Sequence, residues 1–266
     1  GWAGASILDP QPLKPVTVTG KNGEEVRFEI GDLMALSTES HMELLSSSAG
    51  IRNYGRNHPY EQEGLDYKTA RDDINPSAFH LILANLIGVL KRSFVVDKDF
   101  GPEVWNHPVH QYKVEKVFGN FPIEKKTRDR ETLSDHRAIL KKYAETPLIP
   151  VYVKTTVWII SDAITPPYET TPDEKVFTKN GERVYLPRRS DPNAGGAGTT
   201  YEYILYVSAD KETHGDVVDG IWFGSSRRNH PDFIWIPLAN SREGWGYENP
   251  HLDEKEVRNL VLQSAQ

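Results

Sequence analysis

The sequence contains no cysteine among its 266 residues, so disulfides, zinc–thiolate sites and thiol nucleophiles are excluded from this stretch of chain. Long apolar runs are also missing: the longest, residues 79–90, is interrupted by His80 and is shorter than the roughly 20 residues that span a bilayer. Basic residues are in deficit, with 31 Lys and Arg against 38 Asp and Glu and a formal net charge of −7. Because phosphate groups are bound by clustered Lys and Arg, neither nucleic acid nor a membrane is an expected partner.

The sequence opens with Gly1-Trp2-Ala3-Gly4-Ala5-Ser6, which has neither an initiator Met nor the basic start of a signal peptide. We therefore expect that these residues were cut from a longer chain. Hydrophobic residues make up 38% of the sequence and charged residues 26%, which is typical of a globular protein.

Local patterns predict both helices and strands. Alternating residues indicate a hairpin over 16–30 and strands over 93–97 and 104–117, with further strands from Ile149 to Leu238. Asn75-Pro76 is a strong helix start, and the residues up to Gly88 are apolar nearly all round, which predicts a buried helix. The sequence predicts an α+β fold: a helical catalytic half, residues 1–118, packed on a mostly antiparallel, β-rich half of the same globular unit, residues 119–266.

His80 is the readily titratable group on this apolar helix. A buried imidazole needs a partner for its ring nitrogens, and Asp97, at the end of the next predicted strand, is a reasonable carboxylate to orient it. A histidine oriented by an acid is half of a nucleophilic site. The alternative is a core histidine bonded to the backbone, and the spacing by itself does not separate the two.

Three stretches resemble the transglutaminase elicitor family of secreted oomycete cell-wall enzymes and bacterial relatives. They are DINPSAFHLILANLIG at 73–88, SFVVD at 93–97 and EVWNHPV at 103–109. Residues 104–114 are similar to a surface peptide of the oomycete enzymes that plants perceive, with His107 in place of Gln and His110-Gln111 in place of Arg-Gly. Residues 1–6 match the segment immediately downstream of the catalytic cysteine in that family.

The resemblance implies a thiol-dependent protein-glutamine γ-glutamyltransferase, secreted or at the cell surface. Its cysteine is expected just before Gly1, on a preceding or cleaved segment. His80 is then the catalytic base and Asp97 the orienting acid, with Asp73 as the alternative acid.

The same resemblance points to four residues for substrate or oxyanion binding: Gly1, Trp2, Trp105 and Asn106. The expected partners are proteins with accessible Gln and Lys. No cofactor is needed from the sequence, but calcium is implied by the family, with Asp97, Asp99 and Glu103 as candidate ligands.

Two other functions stay open at this point. A cysteine peptidase or amidase would use the same kind of site, because water and amines compete for one thioester. A non-catalytic elicitor or surface protein is the interpretation that the missing cysteine favours. No metal site is predicted at His107 and His110, since residues three apart on a strand face opposite sides.

Overall fold

The computed structural model describes residues 1–42, 74–98, 105–160, 198–239 and 249–266, together with strands at 45–49, 177–179 and 182–184. The helices are α1 (Trp2–Leu8), α2 (Ile30–Ser40), α3 (Pro76–Ile82), α4 (Ile123–Lys126), α5 (Arg130–Lys142) and α6 (Glu254–Ala265). The strands are β1 (Val16–Thr19), β2 (Glu25–Phe28), β3 (Leu45–Ala49), β4 (Phe94–Asp97), β5 (Asn106–Phe118), β6 (Leu148–Ile159), β7 (Phe177–Lys179), β8 (Glu182–Val184), β9 (Thr199–Ser208), β10 (Val217–Trp222) and β11 (Ile234–Ala239).

The chain divides into two compact units that each collect distant segments. The first unit contains Gly1–Ser47, Ile160–Gly196 and Trp235–Gln266, and the second contains Ser48–Ile159 and Ala197–Ile234. This grouping is not the same as the predicted division into residues 1–118 and 119–266 of one globular unit. That division stays a prediction. None of the described helices is both long and apolar enough to cross a membrane.

The first unit has a small apolar core beneath the β1–β2 hairpin. The hairpin is antiparallel, and Gly23 in its turn has a φ of 85°, a conformation that glycine adopts without steric cost. The core brings β1, α2 and α6 together through the buried side chains of Val16, Leu33, Leu252, Val257 and Val261. The hairpin predicted over 16–30 is thereby confirmed.

The second unit is built on an antiparallel sheet. Five of the described strands lie wholly within this unit, in the order β10-β9-β6-β5-β4. The register pairs Phe94 with Val109, Val109 with Ile159, and Thr155 with Tyr201. All four residues of β4 are buried, as expected for an inner strand with a continuous apolar run.

Helix α3 begins where the sequence predicts. The Asn75 side chain accepts a hydrogen bond from the Ser77 backbone N–H at 2.8 Å and donates to Asp219 of β10 at 2.9 Å. Pro76 occupies the first turn, where a missing N–H costs nothing. The helix lies close to β10, since a Cβ added to Gly220 would be 3.0 Å from the Ser77 nitrogen.

An aromatic cluster holds α3 on the sheet. Phe79 is wholly buried, with its ring centroid 5.5 Å from Tyr201, 6.2 Å from Tyr203 and 5.5 Å from Trp222. Two of these three contacts are edge-on, the arrangement that aromatic quadrupoles favour. This cluster fixes the position of the next residue along the helix, His80.

The predicted burial of the whole 75–88 helix is wrong. The chain continues past α3 as a π-helix, Leu83–Val89, in which Leu83 is the buried residue. Within the predicted helix Leu81 is 41% exposed, and Val89, just past its predicted end, is 71% exposed. The apolar pattern identified the helix but not how many of its sides have neighbours.

An ion-pair network fastens the 3₁₀ helix Gly224–Arg227 to α5. The Arg227 guanidinium donates to Asp135 at 2.8 Å and Glu131 at 3.4 Å, and lies 3.4 Å from Asp129. Asp129 also caps α5 by accepting a hydrogen bond from the Thr132 N–H at 3.1 Å.

Candidate functional site

His80 lies on the side of α3 that faces β9. Its ring is half-buried, and Nδ1 is 2.8 Å from the hydroxyl oxygen of Tyr203. Burial lowers the pKa of His80 below its usual value, because desolvation penalises the imidazolium. A neutral imidazole at physiological pH can act as a base, so the environment suits the predicted role.

Tyr203 connects His80 to the inner strands of the sheet. Its side chain is wholly buried on β9, and its hydroxyl is 2.9 Å from Oγ1 of Thr155, which is buried on β6. Burial raises the pKa of Tyr203, so the phenol stays protonated and neutral. The three side chains form a hydrogen-bonded series: imidazole, phenol, then threonine hydroxyl.

Asp97 is wholly buried at the end of β4. One carboxylate oxygen accepts a hydrogen bond from the Trp105 backbone N–H at 2.8 Å. The Asp97 backbone donates to the Phe233 carbonyl at 2.9 Å and accepts from the Asp232 N–H at 3.1 Å. The His80 imidazole is engaged through Nδ1 by Tyr203, so the pairing of Asp97 with His80 stays a prediction.

The remaining predicted site residues fall in three places. Trp105 is 44% exposed, and Asn106 is half-buried at the start of β5, directly opposite Asp97 in the sheet register. Gly1 caps α1 and Trp2 is the first residue of that helix, both in the first unit. A Cβ on Gly1 would clash with the Thr38 carbonyl oxygen. Asp73 lies outside the described residues, as do the candidate calcium ligands Asp99 and Glu103.

The structure also contains histidine contacts that the sequence did not reveal. Nδ1 of His136 on α5 is 2.7 Å from the hydroxyl of Tyr206 on β9, which repeats the His80–Tyr203 contact three residues along the strand. In the first unit, Nε2 of the wholly buried His41 is 2.9 Å from the Asp9 carboxylate. No local spacing signals these pairs, because their partners come from distant parts of the chain.

Comparison with known proteins places this architecture in a family. The transglutaminase elicitor family model matches residues 1–164 and 179–266, nearly the whole chain. The chain belongs to the transglutaminase elicitor family. The family resemblance and the α+β fold predicted from the sequence are thus confirmed.

Among solved structures, this transglutaminase elicitor chain is similar to the GP42 transglutaminase from Phytophthora sojae. The TM-score is 0.61 at 22% sequence identity, over 99% of this chain and 61% of the other. At that identity the likeness establishes the fold. The chain spans less than two thirds of the length of that relative. None of the curated proteins compared with the sequence matches it.

Proposed function

We propose that this chain is the part of a protein-glutamine γ-glutamyltransferase that supplies the catalytic base, His80. The observation that carries the proposal is the half-buried imidazole, held through Nδ1 by Tyr203 in a chain of the transglutaminase elicitor family. With Nδ1 engaged, Nε2 is the ring nitrogen left to exchange a proton with a reacting group.

The thiol nucleophile comes from outside these residues, since the 266 residues contain no cysteine. We propose that it stands just before Gly1 in the encoded protein. The proton of this cysteine passes to His80, and the thiolate attacks the side-chain carboxamide carbon of a glutamine. As the carbon–nitrogen bond breaks, His80 returns the proton to the leaving ammonia and a thioester remains.

A second nucleophile resolves the thioester. A lysine amine gives an isopeptide bond, whereas water gives glutamate; in both cases His80 accepts the proton of the attacking group and returns it to the sulfur. We propose proteins with exposed Gln and Lys as the substrates, in a secreted or cell-surface setting.

The other predicted roles stay proposals. Because Tyr203 engages Nδ1 and Nε2 exchanges the proton, Asp97 is proposed to stabilise the imidazolium through its charge, with Asp73 as the alternative acid. Gly1 and Trp2, next to the expected thiol, are proposed to bind the oxyanion through backbone or indole N–H groups. Trp105 and Asn106 are proposed to contact substrate.

Calcium dependence stays a prediction of the family resemblance. Within the described part of the chain no group of three or more His, Asp or Glu side chains is arranged to hold a metal ion. Assays in the presence of calcium and of a chelator test the prediction.

Amine incorporation tests the proposed function. The full-length encoded protein is incubated with a glutamine-bearing protein and a labelled primary amine, and incorporated label is measured. We expect incorporation by wild type and loss of at least 100-fold in His80→Ala, because a positioned base contributes roughly 10² to 10⁴ in rate. His136→Ala is the matched control, since that histidine makes the same tyrosine contact on another helix. Equal activity in the two variants would remove His80 from the site.

Product analysis separates transfer from hydrolysis. Mass spectrometry of the treated protein, with and without added amine, distinguishes the amine adduct from the glutamate formed by water. A transglutaminase forms the adduct whenever amine is present, whereas an amidase gives glutamate in both cases.

A non-catalytic elicitor is the second candidate function, favoured by the resemblance of residues 104–114 to a peptide perceived by plants. The structure exposes Trp105 and the end of β5 but buries His107, Pro108 and Val109. Perception of the folded protein would therefore have to rely on the exposed ends of the segment. Alkalinisation of a plant-cell medium by the synthetic 104–114 peptide, and not by a shuffled peptide, tests this candidate.

A further inference from the structure

The hydroxyl groups of Tyr203 and Thr155 lie beside His80 and have no role in the predicted His80–Asp97 pair. We infer that Tyr203, supported by Thr155, is the positioning residue that holds His80 in its Nδ1–H tautomer with Nε2 free to take a proton. The inference rests on the proposed function, and concerns how the imidazole of His80 is oriented towards the thiol.

The geometry supplies the two hydrogen bonds that this role needs. His80 Nδ1 is 2.8 Å from the Tyr203 oxygen, and that oxygen is 2.9 Å from Thr155 Oγ1. If Nδ1–H donates to Tyr203, the phenol O–H donates onward to Thr155. The same two bonds serve the neutral imidazole and the imidazolium, because Nδ1 carries a proton in both. No hydroxyl has to rotate when Nε2 gains or loses its proton.

The hydroxyl groups of Tyr203 and Thr155 are held in place by the strands that carry them. Tyr203 and Thr155 are both wholly buried and stand on the adjacent strands β9 and β6. The edge-on contact between Phe79 and Tyr203 fixes the phenol ring from the helix side. A buried hydroxyl without a partner is costly, so the three groups keep one another in place.

The ionisable groups around this series are mostly tyrosines. Tyr201 and Tyr203 of β9 lie under α3. Burial is the largest cause of the raised pKa of Tyr203, and the electrostatic interaction with Tyr112 of β5 raises it further. Asp219 of β10 is bonded to Asn75 at the start of the helix. Burial is the cause of the lowered His80 pKa. Because the pKa of Tyr203 is raised, its phenol is neutral, and this neutral phenol is the hydrogen-bond acceptor for the His80 imidazolium.

Nitrogen NMR of the 266-residue chain with ¹⁵N-labelled histidine tests the inference without any need for activity. We expect the His80 resonances to show a protonated Nδ1 and an unprotonated Nε2 at pH 8. In Tyr203→Phe the imidazolium loses its acceptor, so the midpoint of His80 titration should fall by about one pH unit. Tyr206→Phe, the matched control on β9, should shift His136 and leave His80 unchanged.

The threonine provides a second pair of variants in case Tyr203→Phe does not fold. Thr155→Ser keeps the hydroxyl and should keep the wild-type titration midpoint of His80, whereas Thr155→Val should lower it. An Nδ1 that is unprotonated at pH 8, or a His80 midpoint that is the same in wild type, Tyr203→Phe and Thr155→Val, overturns the inference.

Kinetics then link the contact to the proposed reaction. In the full-length protein, Tyr203→Phe should lower kcat for amine incorporation about ten-fold or more with little change in KM, since an aimed base acts in the chemical step. If wild type incorporates no amine, the proposed function fails. The NMR result still shows whether Tyr203 holds the Nδ1–H tautomer of His80. If wild type is active and Tyr203→Phe has the same kcat, the positioning role fails by itself.

Discussion

Phe79 is the side chain whose removal should most disturb the helix that carries His80. It is wholly buried and contacts three aromatic rings, so Phe79→Ala leaves a cavity and breaks all three contacts. Truncation of a buried Phe costs about 3–5 kcal/mol. Each kcal/mol lowers Tm by about 2–4 °C in a domain of 150–250 residues, which predicts a fall on the order of 10 °C.

Urea unfolding, followed by circular dichroism and tryptophan fluorescence, measures this loss. Leu81→Ala is the matched control, because that side chain is on the same helix but 41% exposed, and it should cost about 1 kcal/mol or less. Phe79→Leu fills most of the cavity and should fall between the two. Equal losses in the free energy of unfolding for Phe79→Ala and Leu81→Ala would show that Phe79 does not anchor the helix.

Three further variants test other contacts. Asn75→Ala removes the cap of α3 and its bond to β10, and should lower the free energy of unfolding by about 1–2 kcal/mol in urea titrations; no loss would contradict the capping role. Arg227→Gln breaks contacts to three carboxylates and should be more destabilising than Arg137→Gln, whose exposed ion pair spans 3.8 Å, with a difference that shrinks in high salt. Burial raises the pKa of Asp9, but the bonds from His41 and Ser37 outweigh it and hold the pKa below its usual value. Asp9 therefore stabilises the fold above about pH 4 and loses this effect as pH falls through its lowered pKa, so Asp9→Asn should flatten the acid side of a plot of stability against pH.

The sequence revealed those parts of the fold that have local causes. Asn75-Pro76 marks a helix start through capping chemistry that involves only neighbouring residues, and the apolar run up to Asp97 is typical of a buried strand. Helix α1 was not predicted, since its Ala-Gly-Ala stretch has no apolar period. The exposure of Leu81 and Val89 depends on which neighbours cover α3 and the π-helix after it, and a periodic pattern does not contain that information.

The candidate site could be predicted only in part, because some of its contacts join distant parts of the chain. His80 was found through its apolar surroundings and its place in a family motif. Tyr203 is 123 residues away in sequence, and a tyrosine in a strand is ordinarily taken as core. His80 and Tyr203 meet because α3 packs across β9. Local sequence spacing does not predict such a long-range contact. The role of Asp97 depends on the same kind of distant geometry and stays a prediction.

The rate of alkylation of the cysteine in the full-length encoded protein tests most directly whether His80 serves a thiol. Iodoacetamide reacts with the thiolate, and pairing with an imidazole lowers the thiol pKa below its free value of about 8.5. We expect an alkylation midpoint well below pH 8 in wild type and in His136→Ala, and a return to about pH 8.5 in His80→Ala. An unchanged midpoint in His80→Ala would contradict this expectation.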